Sequence, residues 1–204
     1  MLVTLKEFWI PMIKQPKSVI RQAIANCSSG IFFILAILYG ITLFLEQAMN
    51  RNAGDTMAVP TILVLSVILG PIIGIISWFL YSLLTYAGTR LFKGTATFKE
   101  TYKATAWATV PYSTKLALFI PMLLIFREEN FTTETPDIDS SFFLILLFFI
   151  ALLIGLIMTI YYFMVYSKII GEIHGIGSWK GFASIIVIPV ILILFLIVLS
   201  LIFF

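Results

Sequence analysis

Five long apolar runs constrain this sequence more than any other feature. They lie at roughly residues 29–46, 59–87, 104–126, 141–167 and 182–204. A helix of about 20 apolar residues is long enough to cross the hydrocarbon layer of a bilayer. Backbone groups in lipid find partners only in helices and closed barrels, and these runs lack the alternation of barrel strands. The sequence therefore predicts an all-α, polytopic integral membrane protein with a bundle of five transmembrane helices.

The composition supports contact with the lipid bilayer. Only 11% of the residues are charged, against about 25% in a typical soluble domain, and 61% are hydrophobic. The net charge of +3 does not indicate a nucleic-acid partner, because the basic residues are spread among short loops.

The distribution of lysine and arginine predicts the orientation of the chain. Ten basic residues fall on one side of the predicted membrane: Lys6, Lys14, Lys17, Arg21, Arg90, Lys93, Lys99, Lys103, Lys168 and Lys180. The opposite side has Arg51 and Arg127. Because cytoplasmic loops are enriched in basic residues, we expect the amino terminus in the cytoplasm and the carboxyl terminus outside.

Residues 1–27 are predicted to form a cytoplasmic, interfacial leader that precedes a transmembrane domain at 28–204. Phe8, Trp9, Ile10 and Ile13 alternate with lysines, as in an amphipathic helix with its apolar side in the headgroup layer. The main interpretation is a membrane anchor, and the alternative is a docking site for a soluble partner.

Glycines in the second span are predicted to pack helices closely. Gly70 and Gly74 have the G-x-x-x-G spacing that lets two helices approach, and Gly88 adds a further small residue. We expect packing within the bundle, with homo-oligomer formation as the alternative.

Polar residues gather at one end of three predicted spans. Within each of these spans, the spacing of the polar residues puts their hydroxyls roughly on one face of the helix. In the fourth span, Thr159 comes before Tyr162 and Tyr166. The candidate polar pocket faces the cytoplasm and comprises Lys115, Tyr112, Thr109, Tyr81, Thr85, Tyr162 and Tyr166.

Lys115 lies in the middle of the third span, where a charge costs about 2.5–3.5 kcal/mol on insertion scales. Glu46 and Glu172 are expected at opposite edges of the membrane, so no acidic partner is predicted. One interpretation is that Lys115 snorkels to the interface or has a purely structural hydrogen-bonded role. The other is a pocket for an anionic lipid headgroup or a peptide carboxylate.

The sequence contains no pattern that indicates an enzyme. There is no H-E-x-x-H motif and no P-loop, so neither a metal nor a cofactor is expected. His174 lies in a Gly-rich stretch and is predicted to be a solvated loop residue. A Ser–Lys dyad with Ser113 or Ser66 is conceivable but has no further support.

Two stretches resemble the Yip family of small multi-pass membrane proteins. The first is GTRLFKGTATFKETYKATAWATVPYS at 88–113, and the second is SKIIGEIHGIGSWKGFASI at 167–185. The resemblance implies five spans with a cytosolic amino terminus. Eukaryotic members are linked with Rab-type GTPases through a long cytosolic arm and an Asp-Leu-Tyr-Gly-Pro motif, which this sequence lacks, so Rab binding is not carried over.

The short leader resembles prokaryotic members, which implies the plasma membrane of a bacterium. Two functions follow as hypotheses. The first is a non-enzymatic scaffold or accessory subunit with a membrane protein partner, such as an exporter. The alternative is a small transporter or lipid-handling protein that uses the pocket around Lys115.

Overall fold

The computed structural model describes residues 5–203, with side chains up to residue 201. The described residues form α-helices and short 3-10 turns and contain no β-strand. The helices are α1 (Leu5–Lys14), α2 (Pro16–Asn26), α3 (Ser29–Asn50), α4 (Val59–Leu91), α5 (Phe98–Ala108), α6 (Val110–Ser113), α7 (Leu116–Phe126), α8 (Pro136–Asp139), α9 (Phe142–His174) and α10 (Ser178–Phe203).

Five helical segments are long and apolar enough to cross a membrane, which confirms the predicted fold class. Most extend beyond the apolar runs; α3 continues to Asn50, for example, and α9 to His174. The third segment, Phe98–Phe131, is assembled from α5, α6, α7 and a 3-10 turn at Arg127–Phe131. The orientation of the termini stays a prediction.

Local sequence explains how the third segment begins and why it is interrupted. Thr97 and Glu100 form a capping box, in which the Thr97 backbone N–H donates to Glu100 Oε2 at 2.8 Å and the Glu100 N–H donates to the Thr97 hydroxyl. Pro111 lies at the start of α6, where its missing N–H removes a helical hydrogen bond. The chain therefore leaves regular helix at Thr109. A second break, at residues 114–115, precedes α7.

The described chain divides into two compact units. The first unit contains the residues up to Phe32, the segment Trp78–Ala108 and the residues from Phe163 onward. The second unit contains Phe33–Ser77 and Thr109–Tyr162. The predicted division at residue 27 falls in the turn between α2 and α3.

In the first unit the leader helices pack against protein. Phe8 is buried, with its ring centroid 5.7 Å from that of Trp107. The Lys103 ammonium donates to the Ile24 carbonyl at 3.1 Å, and Arg21 pairs with Glu172 at 3.2 Å. Trp107 thus covers the Phe8 side chain within the chain, and the interfacial position of the leader stays a prediction. Ile10 on the same helix is exposed.

Glycines let helices approach closely in both units. In the second unit a Cβ on Gly70 would lie 2.9 Å from the Ile41 Cα, and one on Gly74 would overlap the Ala36 carbonyl oxygen. Both contacts are with α3, where Gly40 meets the same pair. In the first unit a Cβ on Gly88 would overlap the Ser184 carbonyl oxygen of α10. These contacts are too close for any residue with a side chain.

Candidate functional site

Lys115 is a buried charge in the second unit. It occupies the position just before α7, after the break that follows Pro111. Its side chain is only 4% exposed, so the ammonium needs partners within the protein.

Glu46 is the main partner of that ammonium. The Lys115 Nζ donates to Glu46 Oε1 at 2.8 Å and to the Thr159 hydroxyl oxygen at 2.5 Å. The expectation that no acidic residue can pair with Lys115 is wrong, because α3 continues one turn past Glu46 to Asn50. The contact also contradicts snorkelling, since the ammonium is held by two partners inside the unit.

Tyr112 supplies a second hydrogen-bond donor to the carboxylate. Its hydroxyl donates to Glu46 Oε2, so each carboxylate oxygen has a donor. The Tyr112 ring packs against the rings of Tyr39 and Tyr162, with centroids 5.1 and 5.4 Å away. The Lys115 ammonium lies 4.5 Å from the Tyr112 ring centroid, within the range of a cation–π contact. A buried pair is favourable only with such additional hydrogen bonds, because burial removes water from the charges, here mainly from the Lys115 ammonium.

Thr159 is a positioned acceptor. Its hydroxyl donates to the Gly155 carbonyl at 3.0 Å, which leaves its oxygen lone pairs directed at Lys115. This hydrogen bond within α9 fixes the Thr159 side chain, so the hydroxyl oxygen that accepts from the Lys115 ammonium is held in place.

A cavity of about 320 Å³ adjoins the ion pair. Three elements of the second unit line it: the end of α3, the region of Lys115 and α7, and the first half of α9. Its lining residues are Glu46, Met49, Asn50, Lys115, Leu118, Phe119, Met122, Ala151, Leu152, Gly155, Leu156 and Thr159. The walls are mainly apolar, and both charged residues of the ion pair, Glu46 and Lys115, belong to the lining. Such a site suits a ligand with a polar head and an apolar body.

The structure distributes the seven predicted pocket residues over two groups. Lys115, Tyr112, Thr109 and Tyr162 belong to the second unit, and the other three belong to the first. Among the described residues that line the cavity, Lys115 is the one taken from the predicted set. The predicted pocket as a whole stays a prediction.

Two of the first-unit members, Thr85 and Tyr166, form a hydroxyl cluster with Thr105. The hydroxyl oxygens of Thr85 and Tyr166 lie 2.8 Å apart, and Thr105 is 3.3 Å from the same tyrosine oxygen. Thr85 and Tyr166 are buried, whereas Tyr81 is 41% exposed. Buried hydroxyls that satisfy one another stabilise helix packing without water.

His174 is also buried in the first unit, at 1% exposure, so the expectation of a solvated loop histidine is wrong. Its Nε2 lies 2.9 Å from the Thr101 hydroxyl oxygen. Because that hydroxyl donates to the Thr97 carbonyl, we infer that Nε2 carries the proton and donates to Thr101. Helix α9 continues through Gly171 and draws His174 into the unit.

The described residues 5–203 contain no group of three His, Cys, Asp or Glu side chains that could hold a metal ion. The site around Lys115 presents one ammonium, one carboxylate and neighbouring hydroxyls, groups that can hydrogen-bond a polar ligand.

Comparison with known proteins supports the sequence resemblance. A family model described as the Yip1 domain matches residues 6–200. The matched range includes both stretches on which the resemblance to the Yip family rests, so that prediction is confirmed. Neither a search of curated proteins nor a search of solved structures found a match.

Proposed function

The chain belongs to the Yip1 domain family, and we propose that it serves as a non-enzymatic membrane scaffold or accessory subunit that packs against another membrane protein, such as an exporter. The family is one of multi-pass, non-enzymatic membrane proteins. Membership therefore favours a role in binding another protein over a role in catalysis.

The observation that carries this proposal is the exposure of the second half of α10. Every residue from 190 to 201 is exposed within the described chain. This stretch is longer than three helical turns, so exposure extends around the whole helix. A second membrane helix can pack on such a surface by van der Waals contact and through the Ser200 hydroxyl.

Site-specific photo-crosslinking tests this proposal. A photoreactive residue at Leu194 is expected to give an adduct with a distinct membrane protein in intact cells. The matched control is Phe149 on α9, which is exposed to a similar degree, at 64% against 56% for Leu194. Purification in mild detergent is expected to recover the same partner. A protein that runs alone and gives no adduct at Leu194 would contradict the proposal.

The cavity beside Lys115 favours a second function, a small transporter or lipid-handling protein. A buried charge in a membrane-spanning segment usually marks a functional site. Here the charge lines a cavity whose remaining walls are largely apolar. We expect that Lys115→Ala abolishes this function at normal expression, and that Lys115→Arg restores part of it.

Filling the cavity tests the second function without removing a charge. A Cβ on Gly155 would meet Leu118 no closer than 3.9 Å, so Gly155→Leu can place its side chain in the cavity without a backbone clash. Native mass spectrometry is expected to detect co-purified amphiphile on the wild type and much less on this variant. Gly30→Leu is the control, because Gly30 is similarly unobstructed and does not line the cavity. Equal amphiphile on all three proteins would exclude the cavity as a lipid site.

A further inference from the structure

We propose that the cavity beside Lys115 recognises a zwitterion that carries a phosphate and a primary ammonium, the chemistry of an ethanolamine-type headgroup. This inference rests on the second proposed function, that the cavity holds an amphiphile, and it specifies the chemical class of that ligand. The carrying observation is that both members of a buried ion pair line the same cavity.

The charges of the pair favour a ligand with no net charge. A simple anion at Lys115 would put two negative charges beside one ammonium, so that one of the two would lack a compensating cation within the second unit. Removing one partner from a buried pair is strongly unfavourable, because the remaining charge is uncompensated. A ligand with both signs lets the phosphate meet Lys115 while its ammonium meets Glu46. Each buried charge then keeps an opposite charge beside it.

Both groups have hydrogen-bonding capacity left for such a ligand. An ammonium has three N–H donors, and Lys115 directs two of them at Glu46 and Thr159. A carboxylate has about four lone-pair sites, and Glu46 accepts from Lys115 and Tyr112. The Glu46 side chain is 28% exposed, so a ligand can reach it without opening the helices.

A primary ammonium fits this site better than a quaternary one. A quaternary ammonium has no N–H to donate to Glu46 and depends on aromatic faces around it. The rings of Tyr39, Tyr112 and Tyr162 pack against one another, and none of these three residues lines the cavity. The site therefore offers hydrogen-bond acceptors and not an aromatic cage.

The size and walls of the cavity indicate how such a ligand would lie. A volume of about 320 Å³ is at the lower end for ligand pockets, which suits a headgroup but not a whole two-chain lipid. Leu152 and Leu156 line the cavity and are also exposed on the outside of the helix bundle. Acyl chains can leave past these two residues into the surrounding lipid.

Native mass spectrometry of the full chain tests the inference. Delipidated protein is incubated with equimolar phosphatidylethanolamine, phosphatidylcholine and phosphatidylglycerol in detergent. We expect phosphatidylethanolamine to be retained roughly tenfold over either competitor, the scale of a hydrogen bond to a charged group. The preference should fall to less than twofold in Glu46→Gln. In Lys115→Met/Glu46→Gln, which removes both charges, it should also disappear.

The outcomes of this experiment distinguish a lipid from a water-soluble ligand, and failure of this inference from failure of the second proposed function. Displacement by soluble phosphoethanolamine at the lipid concentration would support the same chemistry and assign it to a water-soluble zwitterion. Loss of lipid in Gly155→Leu without any headgroup preference in the wild type would overturn this inference and leave the second proposed function intact. Lipid retention that is the same in wild type and Gly155→Leu would overturn both. Preferential retention of phosphatidylglycerol would overturn the inference in favour of a simple anion site.

Discussion

Replacing Lys115 with methionine removes the ammonium but keeps a flexible apolar side chain of similar length. Of the two donors described above for the Glu46 carboxylate, the change removes the Lys115 ammonium and leaves the Tyr112 hydroxyl. Breaking one side of a buried ion pair costs about 3–5 kcal/mol. Glu46 is 28% exposed and can recover part of its hydration, so we expect the lower end, about 3 kcal/mol. Glu46→Gln should have a similar effect, because it leaves the more deeply buried ammonium unpaired.

The double variant Lys115→Met/Glu46→Gln gives the sharper result. Removing both charges of a buried pair is often neutral or stabilising. The double variant is therefore expected within about 1 kcal/mol of the wild type. Two single effects of about 3 kcal/mol each then give a coupling energy of about 5–7 kcal/mol, above the range of about 0.5–3 kcal/mol usual for contacting residues. The free energy of unfolding is measured by denaturant titration in detergent.

A matched cycle on Arg21 and Glu172 serves as the control. That pair also joins distant parts of the sequence, but its side chains are 62% and 34% exposed. Exposed pairs contribute about 0–1 kcal/mol, so a small coupling energy is expected there. If the effects of Lys115→Met and Glu46→Gln simply add, the two residues do not interact and the description of the site is wrong.

Three further predictions concern packing, pH and topology. Gly74→Leu should lower the midpoint of thermal aggregation in detergent by many degrees, because its side chain would overlap the α3 backbone; an unchanged midpoint would contradict that packing. Hydrogen bonds from the Thr133 hydroxyl and backbone N–H lower the pKa of Asp55, so Asp55 stabilises the folded state above its ordinary pKa and that contribution is lost as the pH falls through the lowered value. Thr133→Val should raise the pKa of Asp55 in an NMR titration, and an identical titration curve would refute this. A cysteine at Thr95 should resist a membrane-impermeant reagent in intact cells while one at Thr56 reacts, and labelling at Thr95 would reverse the predicted orientation.

Apolar run length was sufficient to predict the five spans, because hydrocarbon thickness determines how many apolar residues a helix needs. It was a poor guide to where each helix ends. The first apolar run ends at Glu46, whereas α3 continues to Asn50 and keeps Glu46 inside the helix. A carboxylate that is paired and hydrogen-bonded does not need the interface, and hydropathy cannot detect that pairing.

The candidate site was only partly predictable for a related reason. Lys115 is conspicuous as a lone charge in an apolar segment. Helical periodicity also shows which residues share a face of one helix. Periodicity does not show which helices meet. It therefore could not predict the contact between Lys115 and Glu46, which are 69 positions apart. The burial of His174 was missed because the surrounding glycines indicated a loop, whereas they allow close helix packing at Gly171.

The distance between the Lys115 ammonium nitrogen and the Glu46 carboxyl carbon, measured by solid-state NMR in lipid bilayers, tests the central claim most directly. Samples labelled with ¹⁵N-lysine and ¹³C-glutamate, compared with Lys115→Met and Glu46→Gln, would identify the signal of this pair. The hydrogen bond of 2.8 Å predicts a nitrogen–carbon distance below about 4 Å and a strong dipolar coupling. A Lys115 ammonium that shows no coupling to any glutamate carboxyl in the bilayer would contradict the ion pair and the cavity chemistry that depends on it.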